Sequence, residues 1–367
     1  MREYLLILLV AAAATYLLSG LARQVAERVG AVAKVRDRDV HTVPIPYFGG
    51  VAMLGGTALA FLLASQLPFL GKHSTVAYDT SVVLIAGALI CGIGVIDDLL
   101  DLPAAAKFGG QCLAAGIIVV GGVRIFWIPL PNSIFALDDS LSIALTLVFI
   151  LVCTNAVNFV DGLDGLAAGV VAIGAGAFFT YTYVLAYEQG LVRATTASLI
   201  TVVICGVCLG FLPHNLHRAR MFMGDSGAML LGLLMAASSI SFTGQFDPAA
   251  LEVRAGDLLP TVLPIVLPVA IMVLPFLDLI LAWVRRTMAG QWWFVADKQH
   301  LHHQLIARGH SHRAAVALMY AWTAVISFGL VGVGITQNLL LAGVFAGAGV
   351  LVLVLTLRPL PVKSGRE

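Results

Sequence analysis

Apolar residues in this chain run in long unbroken blocks, not in alternation and not along one helical stripe. Eleven blocks reach or approach the length of a bilayer span. They lie near 3–22, 48–70, 80–99, 106–124, 141–158, 166–187, 192–212, 226–243, 260–283, 314–334 and 337–357. A helix rises about 1.5 Å per residue, so about 20 residues cross a hydrocarbon core of roughly 30 Å. The fourth and eighth blocks make the weakest spans. No segment alternates as barrel strands do, and helices are the remaining way to satisfy backbone groups in lipid. The pattern predicts an all-α polytopic membrane protein with about 11 transmembrane helices, organised as one integral membrane domain over 1–367. The opening LLILLVAAAATYLLSGLA runs into a basic loop without a clear cleavage signal, so a retained first span is expected.

Composition supports this reading. Of the 367 residues, 60% are hydrophobic and 11% charged, whereas ordinary globular chains carry about a quarter charged residues. The net charge of +1 is uninformative, but its distribution is not. With eleven spans, sixteen of the twenty-one Lys and Arg fall on the side of the first loop. The other five are Arg2, Lys72, Arg124, Arg193 and Arg254. Positive residues favour the cytoplasm, so the N-terminus is expected outside and the C-terminus inside. The five cysteines, Cys205 and Cys208 among them, lie in apolar stretches and read as small hydrophobes.

The same topology sends four polar constellations to one side, in loops near 97–107, 155–165, 213–227 and 284–313. VIDDLLD ends the third block with Asp97, Asp98 and Asp101. Carboxylates at a helix C-terminus oppose the dipole, and adjacent acids repel. Asp101 would approach both acids if the helix continues. A divalent cation or a lysine would offset the repulsion. Lys107 either snorkels to the interface, meets a phosphate or fixes an acidic neighbour. NFVDGLDG sets Asn158, Asp161 and Asp164 among glycines that allow close approach to a ligand. In MFMGDSG, Asp225 or Ser226 could cap the following helix, or Asp225 could join Asp97 and Asp98 around a hard cation. The histidine-rich stretch DKQHLHHQLIARGHSHR suits anionic lipid or phosphate oxygens. No thiolate or HExxH pattern marks His300, His302 and His303 as a zinc site. Acids able to hold Mg2+, with Lys and His for phosphates, favour phosphoryl transfer between a lipid and a cytoplasmic substrate. An ion-coupled transporter is the rival from another class, with Asp278 after Pro275 its best residue.

Taken in order, HTVPIPYFGG, VIDDLLDL, NAVNFVDGLDGLAAG, FLPHNLHRARMFMGDSG and DKQHLHHQLIARGHSHR resemble the polyprenyl-phosphate N-acetylhexosamine-1-phosphate transferases. That family includes the phospho-N-acetylmuramoyl-pentapeptide transferases, and the likeness covers nearly the whole chain. It implies transfer of a sugar 1-phosphate from a UDP-sugar to undecaprenyl or decaprenyl phosphate, release of UMP and a need for Mg2+, with Mn2+ as a substitute. The last loop is similar to the N-acetylglucosamine branch, which makes UDP-N-acetylglucosamine the expected donor and UDP-N-acetylmuramoyl-pentapeptide the alternative. By motif, the resemblance implies catalytic roles for Asp97, Asp98, Lys107 and Asp225, with Asp98 and Asp225 at the metal. It implies substrate contacts for His41, Asn158, Asp161, Asp164, Asn215, Phe222, His300, His302 and His303. Asp164 would meet uracil, and Phe222 would stack on the base. Tyr47 stands where a basic residue is more usual. The setting implied is the bacterial plasma membrane, with the site facing the cytoplasm, a role in cell-envelope glycan synthesis, and a homodimer left open.

Overall fold

The protein is described by a computed structural model over residues 1–33, 44–130, 133–189, 192–243, 269, 272–288 and 301–358. The chain is built from helices: α1 Arg2–Val29, α2 Gly49–Gln66, α3 Ser74–Leu100, α4 Ala104–Val120, α5 Asp139–Val160, α6 Leu166–Gln189, α7 Val192–Asn215, α8 Gly224–Thr243, α9 Val273–Met288, α10 Leu301–Ala307, α11 His312–Thr336 and α12 Leu339–Leu357. Among the described residues nine of these are long and apolar enough to cross a bilayer, and α4 is a shorter apolar helix of 17 residues. Of the ninth expected block, 260–283, residues 269 and 272–283 are described, the latter running into α9, and the others lie outside the described residues. Those residues thus carry nine candidate spans and the shorter α4 for the eleven blocks. Two short antiparallel pairs were not foreseen: β1 Val32–Ala33 with β2 Ile45–Pro46, and β3 Trp127–Leu130 with β4 Ser133–Ala136. Neither adds a spanning strand.

Helices α7 and α8 form the centre. In their most apolar windows 89% and 94% of residues are buried, against 6% in α12, whose leucines and valines face outward. Helix α8 packs against α2, α3, α5 and α7, while α7 packs against α1 and α6. Lipid tails are as apolar as leucine, so helix contacts there depend on close packing. The sequence supplies it with Gly206 and Gly210 on one face of α7. A methyl group at Gly206 would lie 2.6 Å from Ala11 Cβ and 2.7 Å from Leu8 O, so α1 and α7 touch through their backbones.

The helix directions place the polar loops together. Helix α3 carries Asp97 and Asp98 in its last turn, α5 ends beside Asn158, and α7 ends at Asn215. Helices α2 and α8 start beside one another, because Gly49 N donates to Phe222 O (3.1 Å) and Gly50 N to Met223 O (3.0 Å). Helix α4 leaves this end near Lys107 and α5 returns to it, so the β3–β4 hairpin sits at the opposite end of the bundle.

Candidate active site

The site is organised around the first turn of α8. Its start is the left-handed Gly224 (φ 69°), which any side chain would press against the Asp98 carboxylate. Neither Asp225 nor Ser226 caps this helix through its own side chain. Asp98 does so from α3: its Oδ1 accepts from Asp225 N (2.8 Å) and its Oδ2 from Ser226 N (3.4 Å). The positive end of the α8 dipole therefore faces an acid that stands at the unfavourable end of its own helix. Two glycines permit the approach. A methyl at Gly94 would lie 2.7 Å from the Asp225 carbonyl carbon and nearer still to the Ser226 backbone, and one at Gly50 would lie 2.6 Å from Ser226 Oγ. The β2 strand joins the same structure, since Phe222 N donates to Pro46 O (2.9 Å). The partly buried Phe222 ring then lies 6.2 Å from that of Tyr47.

Lys107 answers the question of charge. Its Nζ donates to Asp97 Oδ2 at 3.0 Å and also to Asp225 Oδ2, linking the end of α3 to the start of α8. Asp97 Oδ1 accepts from Leu102 N (2.8 Å), and Asp225 Oδ1 accepts from Asn158 Nδ2 (2.8 Å). One ammonium thus stands among three carboxylates. Every acid retains lone pairs beyond the hydrogen bonds named, because a carboxylate offers about four acceptor sites. That surplus of negative oxygen donors fits a hard divalent cation.

One turn further into the bundle lies a pair that sequence reasoning missed. Asn155 Nδ2 donates to Gln111 Oε1 (2.8 Å), and the buried Gln111 amide also reaches Met229 Sδ at 3.3 Å. Gln111 follows Lys107 by one helical turn and Asn155 precedes Asn158 by one. The available signal was a polar residue inside each apolar helix, on the face of a residue already singled out.

The NFVDGLDG turn is held from behind. Asn215 is buried; its Oδ1 accepts from Gly165 N (3.0 Å) and its Nδ2 donates to Met221 O (3.0 Å). It therefore ties the DGLDG turn to the MFMG loop, with its amide engaged by backbone. The Tyr320 hydroxyl of α11 donates to Gly165 O. Asp161 ends α5, and its half-buried carboxyl is pushed up to about 7, first by burial and then by the charges of Asp98 and Asp164. Asp164 Oδ2 accepts from Ala219 N (3.2 Å) and lies 3.8 Å from His217 Nδ1. Within PHNLH the two histidines part: His217 faces Asp164, whereas His214 lies 3.1 Å from the Tyr16 carbonyl on α1.

The structure brings Asp97, Asp98, Lys107, Asn158 and Asp225 into direct contact, and joins Asp161, Asp164, Asn215 and Phe222 through the adjoining loops. Asp101 behaves differently. Helix α3 stops at Leu100, and the exposed Asp101 is its left-handed C-cap (φ 51°), with its N–H donating to Asp97 O (2.9 Å). His41 and His300 lie outside the described residues. His302 and His303 fall on α10, their side chains outside the described residues. Asp278 is buried, and its Oδ1 accepts from Leu301 N (2.9 Å), which fastens the start of α10 to α9. All five cysteines are free thiols; four are buried and Cys112 is partly so.

Comparison with known proteins shows the family. The sequence pattern of glycosyl transferase family 4 matches residues 80–243, the stretch from α3 through α8. The chain is 45% identical over 364 residues to the decaprenyl-phosphate N-acetylglucosaminephosphotransferase of Mycobacterium tuberculosis, covering 98% of this chain and 90% of that one. It is 32% identical over 306 residues to the probable undecaprenyl-phosphate N-acetylglucosaminyl 1-phosphate transferase of Bacillus subtilis, covering 83% and 77%. A phospho-N-acetylmuramoyl-pentapeptide-transferase of Shouchella clausii is 33% identical over 204 residues, covering 52% and 61%.

Proposed function

The chain belongs to glycosyl transferase family 4, and from that premise we propose that it transfers N-acetylglucosamine 1-phosphate from UDP-N-acetylglucosamine to a polyprenyl phosphate, releasing UMP. The observation that carries this reading is the Lys107-linked set of Asp97, Asp98, Asp225 and Asn158 at one end of the bundle. Relatives at 45–46% identity are named for decaprenyl phosphate and N-acetylglucosamine, which makes these the first substrates to test. The site faces the cytoplasm of a bacterial plasma membrane, the side favoured by the Lys and Arg count.

In the proposed reaction an oxygen of the lipid phosphate attacks the β-phosphorus of the donor. A bond forms between them, the β-phosphorus bond to the bridging oxygen breaks, and UMP leaves with that oxygen. Asp98 and Asp225, with Asp97 beside them, would hold Mg2+ or Mn2+; when bound, the ion neutralises charge on the donor diphosphate and its leaving group. Lys107 fixes Asp97 and Asp225 relative to one another. The first amides of α8 are engaged by Asp98, so that helix terminus holds the carboxylate and not a donor phosphate. Asp98, where the two substrates would meet, positions the lipid phosphate or takes its remaining proton. Asn158 fixes the second edge of Asp225, while Asp164 and Phe222 occupy the loops assigned to the uracil base.

The transporter reading loses its principal residue, since the Asp278 carboxylate is engaged by the Leu301 amide. The remaining acids gather at helix ends, away from the midplane breaks a transporter uses. The test is transfer of labelled sugar 1-phosphate to decaprenyl or undecaprenyl phosphate, with Mg2+ and with a chelator. Product formed only with the divalent ion supports the proposal. No transfer from any of several UDP-sugars to any lipid length would overturn it.

A further inference from the structure

Asp164, His217 and His312 come from three separate segments: the turn between α5 and α6, the loop after α7, and the first residue of α11. One ligand atom from each lies within 4.8 Å of the other two. The two imidazole rings are 4.8 Å apart and tilted by 38°, and Asp164 Oδ2 lies 3.8 Å from His217 Nδ1. Ligand atoms around a tetrahedral ion at about 2.1 Å stand roughly 3.4 Å apart, so small side-chain rotations close this set.

A second observation points the same way. Both ring nitrogens of His312 are shut off from solvent; the Asp164 backbone is a polar neighbour of one, and the other has no hydrogen-bond partner among the described residues. A buried polar group without a partner costs about 1–3 kcal/mol. A cation would give the imidazole lone pair its partner. The backbone amide of Ala219, already bound to Asp164 Oδ2, holds the carboxylate in orientation.

We propose that Asp164, His217 and His312 form a second cation site, which takes a transition metal of the Zn2+ or Co2+ class. Two neutral imidazoles and one carboxylate suit such ions, whereas Mg2+ favours an all-oxygen set such as the acids beside Lys107. With three protein ligands, a fourth position stays open to water or to an oxygen of a bound molecule. The ion would clip the DGLDG turn, the loop after α7 and the start of α11 into one unit. The sequence gives no hint of this site in a short motif, because its ligands lie at 164, 217 and 312.

The test uses tag-free, chelator-treated full-length protein and does not depend on the transfer reaction. Co2+ is titrated while its visible absorption is followed, and Zn2+ binding is measured by calorimetry. The wild type is expected to bind one equivalent of either ion, with Mg2+ in excess failing to displace it. His217→Gln and His312→Gln should each weaken binding at least 30-fold, and His303→Gln should not change it. Melting curves in chelator identify any variant that fails to fold, and His217→Gln, on a partly exposed loop residue, provides the second route. Absence of binding by the wild type, or unchanged binding in folded His217→Gln and His312→Gln, overturns the proposal.

Discussion

Gly94→Ala (G94A) tests the architecture without replacing any acid. The added methyl would stand 2.7 Å from the Asp225 carbonyl carbon and closer to the Ser226 backbone, and neither neighbour is a flexible side-chain tip. Ordinary carbon contacts lie near 3.5–4.0 Å, so α3 and α8 must separate by roughly 1 Å at this level. Asp98 lies one turn further along α3. Its bond to Asp225 N is 2.8 Å and that to Ser226 N is 3.4 Å, so the same displacement breaks both. A hydrogen bond to a charged group contributes about 1.5–3 kcal/mol, and a misplacement of about 1 Å at a reacting centre costs on the order of 100-fold in rate. We expect G94A to lower kcat about 100-fold and to reduce the melting temperature in mild detergent. Gly92→Ala is the control on the same helix, because a methyl there meets nothing within 4 Å; it should retain full activity. Labelled product at saturating substrates gives kcat, and a melting curve gives stability. Wild-type turnover in folded G94A would refute the claim that close α3–α8 contact sets the position of Asp98.

Lys107→Met leaves Asp97 and Asp225 without their shared ammonium. The pair is largely but not wholly buried, so a loss of about 1–3 kcal/mol, between exposed and buried ion pairs, predicts a roughly 5- to 150-fold fall in kcat. The divalent concentration for half-maximal rate should not rise, because the remaining acids are more negative; unchanged kcat with a raised donor KM would instead place Lys107 on a phosphate. Asp278→Ala frees the start of α10, whereas Asp278→Asn retains an acceptor for Leu301 N, so activity should fall more in the alanine variant. Equal activities in the two would remove Asp278 from the positioning of that helix. The folded-state pKa of Asp161, about 7, exceeds the ordinary carboxylate value of about 4. Between these values the folded state holds a proton that the unfolded state has lost, so stability falls as pH rises from about 4 to about 7. Asp161→Asn should flatten that part of the melting-temperature profile; an unchanged slope would contradict the assignment.

The chain's organisation was legible where the signal is local and strong. Long apolar blocks mark helices because each block suffices to cross lipid. Acids and glycines at block ends mark a site because few charges are present to be misread. Counting spans then placed those ends together, and the contacts among Asp97, Lys107, Asn158 and Asp225 agree with it. Long-range partnerships were not legible. Asp98 caps a helix whose first turn is 127 residues away, a role no window of sequence contains. Asn215 reads as a ligand contact by motif, but both ends of its amide are engaged by backbone from two loops. Asp278 reads as an acid in a span, and only the fold brings Leu301 to it. The left-handed cap conformation of Asp101 depends on where α3 stops, and helix ends are the least certain feature of a hydropathy pattern.

The central claim is that Asp98 and Asp225 serve one reaction centre. The direct measurement is turnover of Asp98→Asn and Asp225→Asn with UDP-N-acetylglucosamine, decaprenyl phosphate and Mg2+, each beside its melting curve. Transfer should fall by at least about 1,000-fold in both, roughly 4 kcal/mol of barrier, while the folded state persists. Turnover at the wild-type rate in either folded variant would contradict the account.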